Sequence, residues 1–147
     1  MRFKTTPKVA EPEFGSSASS GGDGRTKLLI EDPDAWAYAE HFEGAGFDVA
    51  LCAGPQAEGD QCSRCPLVES GQCAAVDEAD VILSSLPGEV GKPIVHALAE
   101  RSRRIPTVLH VPAPQAAEYH ELFEDATLVP VPASLDELET AIRKAVA

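Results

Sequence analysis

Aromatic side chains are scarce in this 147-residue chain, at 5% of residues, and the single tryptophan is Trp36. A core must therefore be assembled mainly from Val, Leu, Ile and Ala. That suits a parallel sheet covered by helices on both faces, where strands read as short apolar runs. Positive charge is also in short supply: 12 Lys and Arg stand against 24 Asp and Glu, for a formal net charge of −12. An acidic surface repels phosphate backbones and anionic lipid, which argues against direct contact with nucleic acid or a membrane surface. Long apolar runs are missing too, and none approaches the roughly 20 residues that span a bilayer. Met1–Ala10 carries Arg2, Lys4 and Lys8 with no apolar stretch after them, unlike a signal peptide. The reading is a cytoplasmic protein, a compartment where clustered cysteines more often bind metal or do redox chemistry than form structural disulfides. No phosphate-binding glycine loop, dinucleotide fingerprint or nucleophile–base pair is present, so no catalytic residue is assigned and the chain reads as a non-enzyme.

The length allows one domain with a full core. Residues 1–26 show no hydrophobic periodicity, and Ser16–Gly24 (SSASSGGDG) buries too little surface to offset its ordering entropy, which predicts a flexible tail. The domain is expected over 27–147. Leu28-Leu29-Ile30, ending in Glu31-Asp32, predicts a first strand. Asp32-Pro33 predicts a helix start, with an N-cap carboxylate and proline at N1, and Trp36, Ala39 and Phe42 form its packed face. Phe47–Cys52 predicts the second strand, and residues 53–78 a Gly-, Pro- and Cys-rich loop. Asp80–Ser84 follows as the third strand, then a helix over Lys92–Arg101 opened by Pro93 and burying Ile94, Val95 and Leu98. Thr107–Val111 predicts the fourth strand, Pro114–Phe123 a weaker helix, and Thr127–Val131 a fifth strand that Pro130 assigns to the sheet edge. A capping box, Ser134 with Glu137, opens a last helix that buries Leu138, Ala141, Ile142 and Ala145. Strands alternating with helices predict an α/β fold, a doubly wound five-stranded parallel sheet of order 2-1-3-4-5. In it the Cys-rich loop replaces or extends the region of the second helix.

Four segments, LLIEDPD, ADVILSSLPG, IPTVLHV and LVPVPASLDELETAIRKAV, resemble in order and spacing the receiver domain of two-component response regulators. The resemblance spans Lys27 to Ala147 and implies the flavodoxin-like sheet. In that family an aspartate after the third strand accepts a phosphoryl group. Mg²⁺ is held by that aspartate and an acidic pair after the first strand, a Thr or Ser ends the fourth strand, and a Lys ends the fifth. Glu31 and Asp32 match the acidic pair. The acceptor position falls on Ser85 counting forward from Asp80, or on Leu83 counting back from Pro87, and no carboxylate lies between Asp80 and Glu89. The switch hydroxyl falls on Val111 and the lysine on Val131. A neutral serine hydroxyl neither ligates Mg²⁺ strongly nor forms an acyl phosphate. The resemblance therefore implies a pseudo-receiver that cannot be phosphorylated. Glu31 and Asp32 then read as strand-end carboxylates, Asp32 capping a helix, with a residual Mg²⁺ site as the alternative.

All the cysteines, Cys52, Cys62, Cys65 and Cys73, form one cluster spaced C-x9-C-x2-C-x7-C. Cys52 ends a strand and could be a small buried hydrophobe, but the other three lie in a polar segment. Thiolates on an irregular loop can converge on a metal, which would supply the order that a missing helix does not. Structural zinc commonly uses two C-x2-C knuckles and only one is present. A single C-x2-C flanked by two distant cysteines is closer to iron–sulfur spacing. It is similar to the ligand spacing of WhiB-like iron–sulfur regulators, without their tryptophan–glycine turn, and Cys65-Pro66 is a pair of the kind found in ferredoxin loops. An iron–sulfur cluster is placed ahead of zinc. A redox pair at Cys62-Ser63-Arg64-Cys65 should sit at a helix N-terminus, which lowers a thiolate pKa, whereas here it is expected within a loop. His41, His96 and His120 fall on predicted helices as solvated or locally bonded groups, and His110, near the end of the fourth strand, as a satisfied core or rim residue. The functional reading is a regulatory or protein-interaction domain whose metal centre senses redox state or stabilises the loop, with another protein as partner. A structural zinc-bound adaptor and a thiol–disulfide switch or enzyme are the alternatives. Nothing in the sequence sets an oligomeric state.

Overall fold

A computed structural model describes Phe14 and residues 24–54, 65–86 and 88–147. Five parallel strands, β1 (Lys27–Glu31), β2 (Asp48–Cys52), β3 (Val81–Ser84), β4 (Thr107–Val111) and β5 (Thr127–Pro130), form one sheet of order β2-β1-β3-β4-β5. The expected doubly wound topology is borne out. Each strand is short and apolar, and helical crossovers return the chain to the same end of the sheet. The helices are α1 (Trp36–Gly44), α2 (Pro66–Ser70), α3 (Ala74–Glu78), α4 (Gly88–Ala99), α5 (Ala113–Leu122) and α6 (Leu135–Val146).

Side chains alternate along each strand, so the sheet feeds two cores. Leu29, Ala50, Ile82 and Leu109 pack on one face with Leu67 of α2, Val76 of α3, Ile94 and Leu98 of α4 and Tyr119 of α5. Leu28, Ile30, Val49, Leu83 and Val108 pack on the other with Phe42 of α1 and Leu138 and Ile142 of α6. At α6 the capping box forms as expected: Ser134 Oγ accepts from the Glu137 amide at 3.0 Å, and Glu137 Oε1 accepts from the Ser134 amide at 2.7 Å. Among the described residues, no helix is long and apolar enough to cross a membrane.

Several local expectations are corrected. Helix α1 starts at Trp36 rather than at Asp32-Pro33, because the Asp32 side chain and carbonyl hold a tight turn through the Asp34 amide (2.7 Å) and the Ala35 amide (2.9 Å). Trp36 is 72% exposed. Positions 36 and 42 lie about 120° apart around a helix, and burial runs through Ala35, Tyr38, Phe42 and Ala45 instead. Helix α4 begins at Gly88, so Pro93 stands inside it. Its packed face reaches back to Gly91, where a Cβ would lie 2.4 Å from the Leu86 carbonyl oxygen and 2.9 Å from Tyr119 Oη. The segment expected to be loop holds α2 and α3, each of five residues and too short to register as a period. Phe14 is 3% exposed and belongs to the same core cluster as Leu29, Leu67 and Val76, so the expectation that residues 1–26 add no core does not hold at that position.

Candidate metal centre and the neighbouring acidic cleft

The end of β1 divides the two acidic residues. Glu31 follows Leu29 in the two-residue period and joins its face, while Asp32 turns to the opposite side. Glu31 is 3% exposed, and its Oε1 has no hydrogen-bond partner among the described residues. Burial pushes this carboxyl up to about 7, opposed in part by a bond from the Ser84 side chain. Cys52 is its register partner on β2. The Asp32 amide donates to the Cys52 carbonyl at 2.9 Å, which locks that pairing just beyond the strands.

The short helices deliver two more cysteines to this place. Cys65 is the residue before α2, with Pro66 at N1. Gly71, at φ +80, ends α2 in a left-handed turn, and Cys73 then stands immediately before α3. Cys65 was expected inside a loop and instead opens a helix. Glu31, Cys52, Cys65 and Cys73 all line one small cavity of about 20 Å³, with Leu29, Leu67 and Val76 among its apolar walls. The fourth predicted ligand, Cys62, lies outside the described residues. Burial raises the Cys52 thiol far above the usual range, and the nearby Glu31, Cys65 and Cys73 charges add to it. Such a thiol is protonated at neutral pH. No three ligand atoms of Glu31, Cys52, Cys65 and Cys73 come within 4.8 Å of one another; the group among the described residues that does is His41, Asp136 and Glu139, between α1 and α6. There His41 Nε2 meets Glu139 Oε1 at 3.0 Å, and Arg143 donates to the other Glu139 oxygen at 2.9 Å.

On the other side of β1 lies a cleft of about 330 Å³, lined by residues that include Asp32, Asp34, Tyr38, Ser85 and His110. One Asp32 oxygen accepts from the Asp34 amide, the other from the Ser85 hydroxyl, and Tyr38 also bonds the carboxylate. Of the two alternatives for the acceptor position, Leu83 is fully buried in the core and Ser85 borders the cleft. Val111 and Val131 border it too, without the hydroxyl and the amine that a working receiver would supply. His110 is the residue that sequence reasoning underrated. It is 8% exposed, and both ring nitrogens lack partners among the described residues, so it is not the satisfied histidine expected. Burial lowers its pKa, against the pull of Asp32. The available signal was a single histidine inside the otherwise apolar end of TVLHV.

No family model and no curated protein matches this chain. Solved structures do match in fold. A Francisella response-regulator receiver domain aligns with a TM-score of 0.58 at 18% identity, covering 83% of this chain and 97% of that one. A receiver domain from Clostridium thermocellum gives 0.57 at 15% identity, over 82% and 94% of the two chains. One from Sinorhizobium medicae gives 0.56 at 16% identity, over 84% and 95%. At these identities the likeness establishes a receiver-like fold.

Proposed function

We propose that this chain is a regulatory, protein-binding module on a receiver-like fold that has exchanged phosphoryl chemistry for a cysteine-ligated metal centre, iron–sulfur ahead of zinc. The observation that carries the reading is the convergence of Cys52, Cys65 and Cys73, from three separate elements, on one cavity at the carboxyl ends of β1 and β2. A single zinc ion with Zn–S near 2.3 Å holds its sulfurs roughly 3.8 Å apart in a tetrahedron. The described thiols surround a common space without closing to that shell. The preference for iron–sulfur rests on the spacing, a single C-x2-C flanked by two more distant cysteines. The loss of phosphoryl transfer rests on Ser85, Val111 and Val131, which offer no nucleophilic carboxylate, switch hydroxyl or ammonium at the cleft.

Anaerobic purification followed by iron, sulfide and zinc analysis tests the proposal. Iron and sulfide at one centre per chain are expected, and Cys52→Ser, Cys62→Ser, Cys65→Ser and Cys73→Ser should each lose most of it. A protein with four freely titrating thiols and no metal would overturn the proposal in favour of a thiol switch. Stoichiometric zinc without sulfide would assign the adaptor role instead.

A further inference from the structure

Resting on the metal-centre reading above, we propose that Glu31 is an oxygen ligand of the same centre, so that the site is a mixed thiolate–carboxylate one. Three observations converge on it. Glu31 lines the same cavity as Cys52, Cys65 and Cys73. Its strand neighbour in register is Cys52, which places the two side chains on one face of adjacent strands, at the roughly 4.8 Å spacing of a sheet. Its Oε1 is buried and has no partner among the described residues, although Ser84 bonds the carboxyl group.

Buried carboxylate oxygens are rarely left without a donor, because desolvation costs several kcal/mol that nothing offsets. Among the described residues the other groups lining the cavity are thiols and apolar side chains, with no Lys or Arg. Cysteines bind metal as thiolates, and metal binding releases their protons. A metal centre in this space gives the Glu31 oxygen the partner that the described residues do not. Asp32, one residue along, has no such need, since backbone and hydroxyl donors hold its carboxylate.

The test compares two charge-neutral, near-isosteric variants, Glu31→Gln and Asp32→Asn, in the full chain produced anaerobically. Metal content, metal release to a chelator, visible absorbance and the melting temperature of the metal-free protein are measured for each. Glu31→Gln is expected to release its metal at least about tenfold faster than wild type, the scale on which coordination partners act, and to shift the absorbance. Its metal-free form should melt no lower than wild type, because the change removes a buried, ionisable carboxyl with one oxygen unmet among the described residues. Asp32→Asn should retain metal as wild type does. Wild-type release and absorbance in Glu31→Gln would overturn the ligand assignment while leaving the cysteine centre intact. Equal losses of metal and of metal-free stability in Glu31→Gln would make Glu31 a packing residue and also overturn it. A wild-type protein without metal would instead bring down the reading on which this proposal rests.

Discussion

Glu31 and Asp32 are adjacent in the chain and opposite in circumstance. Asp32 lies on the cleft side and is fully met by protein donors: the Asp34 amide, the Ser85 hydroxyl and Tyr38. Glu31 lies on the thiol side, buried, with one oxygen unmet among the described residues. The alternation of a single strand produces this division, so a pair that reads in sequence as one acidic site becomes two half-sites in space. The difference teaches that the cleft is organised by its own hydrogen bonds, while on the thiol side a buried carboxyl keeps one oxygen without a partner among the described residues.

The comparison breaks most visibly if the thiol side does not depend on metal. Stripping the metal should lower the melting temperature by more than about 10 °C, since metal binding contributes on the order of 10 kcal/mol and roughly 1 kcal/mol shifts a domain of this size by about 2–8 °C. Residues 53–78 should become sensitive to protease while far-UV circular dichroism retains the sheet signal, whose core clusters form from strands and helices largely outside that segment. Unchanged melting and protease resistance would mean that the segment is held by packing alone.

Phe14 gives the next largest effect and belongs to the same side. Truncating a fully buried phenylalanine costs about 3–5 kcal/mol, so Phe14→Ala should lower the denaturant midpoint sharply, as should deletion of residues 1–26. A midpoint equal to wild type would return that residue to an inert tail.

The cleft side predicts an acid-sensitive term. Burial lowers the His110 pKa below the ordinary imidazole value of about 6.5. In the unfolded chain the imidazole takes up a proton as pH falls through that value, and in the folded protein it resists. The unfolded state then binds more protons, so stability falls on acidification below about pH 6.5 and is unaffected above it. His110→Gln should flatten that part of the stability–pH curve, measured by chemical denaturation from pH 7.5 to 5. A slope identical to wild type would show that the ring titrates freely.

Smaller again is Ser85→Ala, which removes one hydroxyl donor from Asp32 and should cost roughly 1.5 kcal/mol, the lower end of the range for bonds to a charged acceptor. Incubation with a small-molecule phosphodonor and Mg²⁺ should leave the mass unchanged. An acid-labile phosphoryl adduct would restore a signalling role to the cleft.

The sheet was legible because five short apolar runs are separated by periodic segments, and all five occupy the expected strands to within one residue. The capping box at Ser134 was legible because the interaction is local. What escaped was non-local or too short. Helices α2 and α3 cover barely more than one turn each, so no amphipathic period develops. Phe14 is an isolated aromatic among residues without pattern, and only the folded domain reveals its place. Trp36 was assigned to a face six positions from Phe42, a spacing that does not return to the same side of a helix. The cysteine cluster was visible as a cluster, but the inclusion of Glu31 depends on the register of β1 against β2, which spacing along one chain does not encode. His110 was noticed for its position and misjudged in its bonding, because whether a buried ring finds partners is decided by the neighbouring strands and the Asp32 turn.

X-ray absorption at the edge of the bound metal, on protein purified anaerobically, tests the division between the two carboxylates most directly. The account predicts an iron signal with a sulfur-dominated first shell and one oxygen scatterer, the latter lost in Glu31→Gln and retained in Asp32→Asn. A first shell made only of oxygen and nitrogen, abolished by Asp32→Asn and indifferent to Cys52→Ser, would place the metal in the cleft and contradict it.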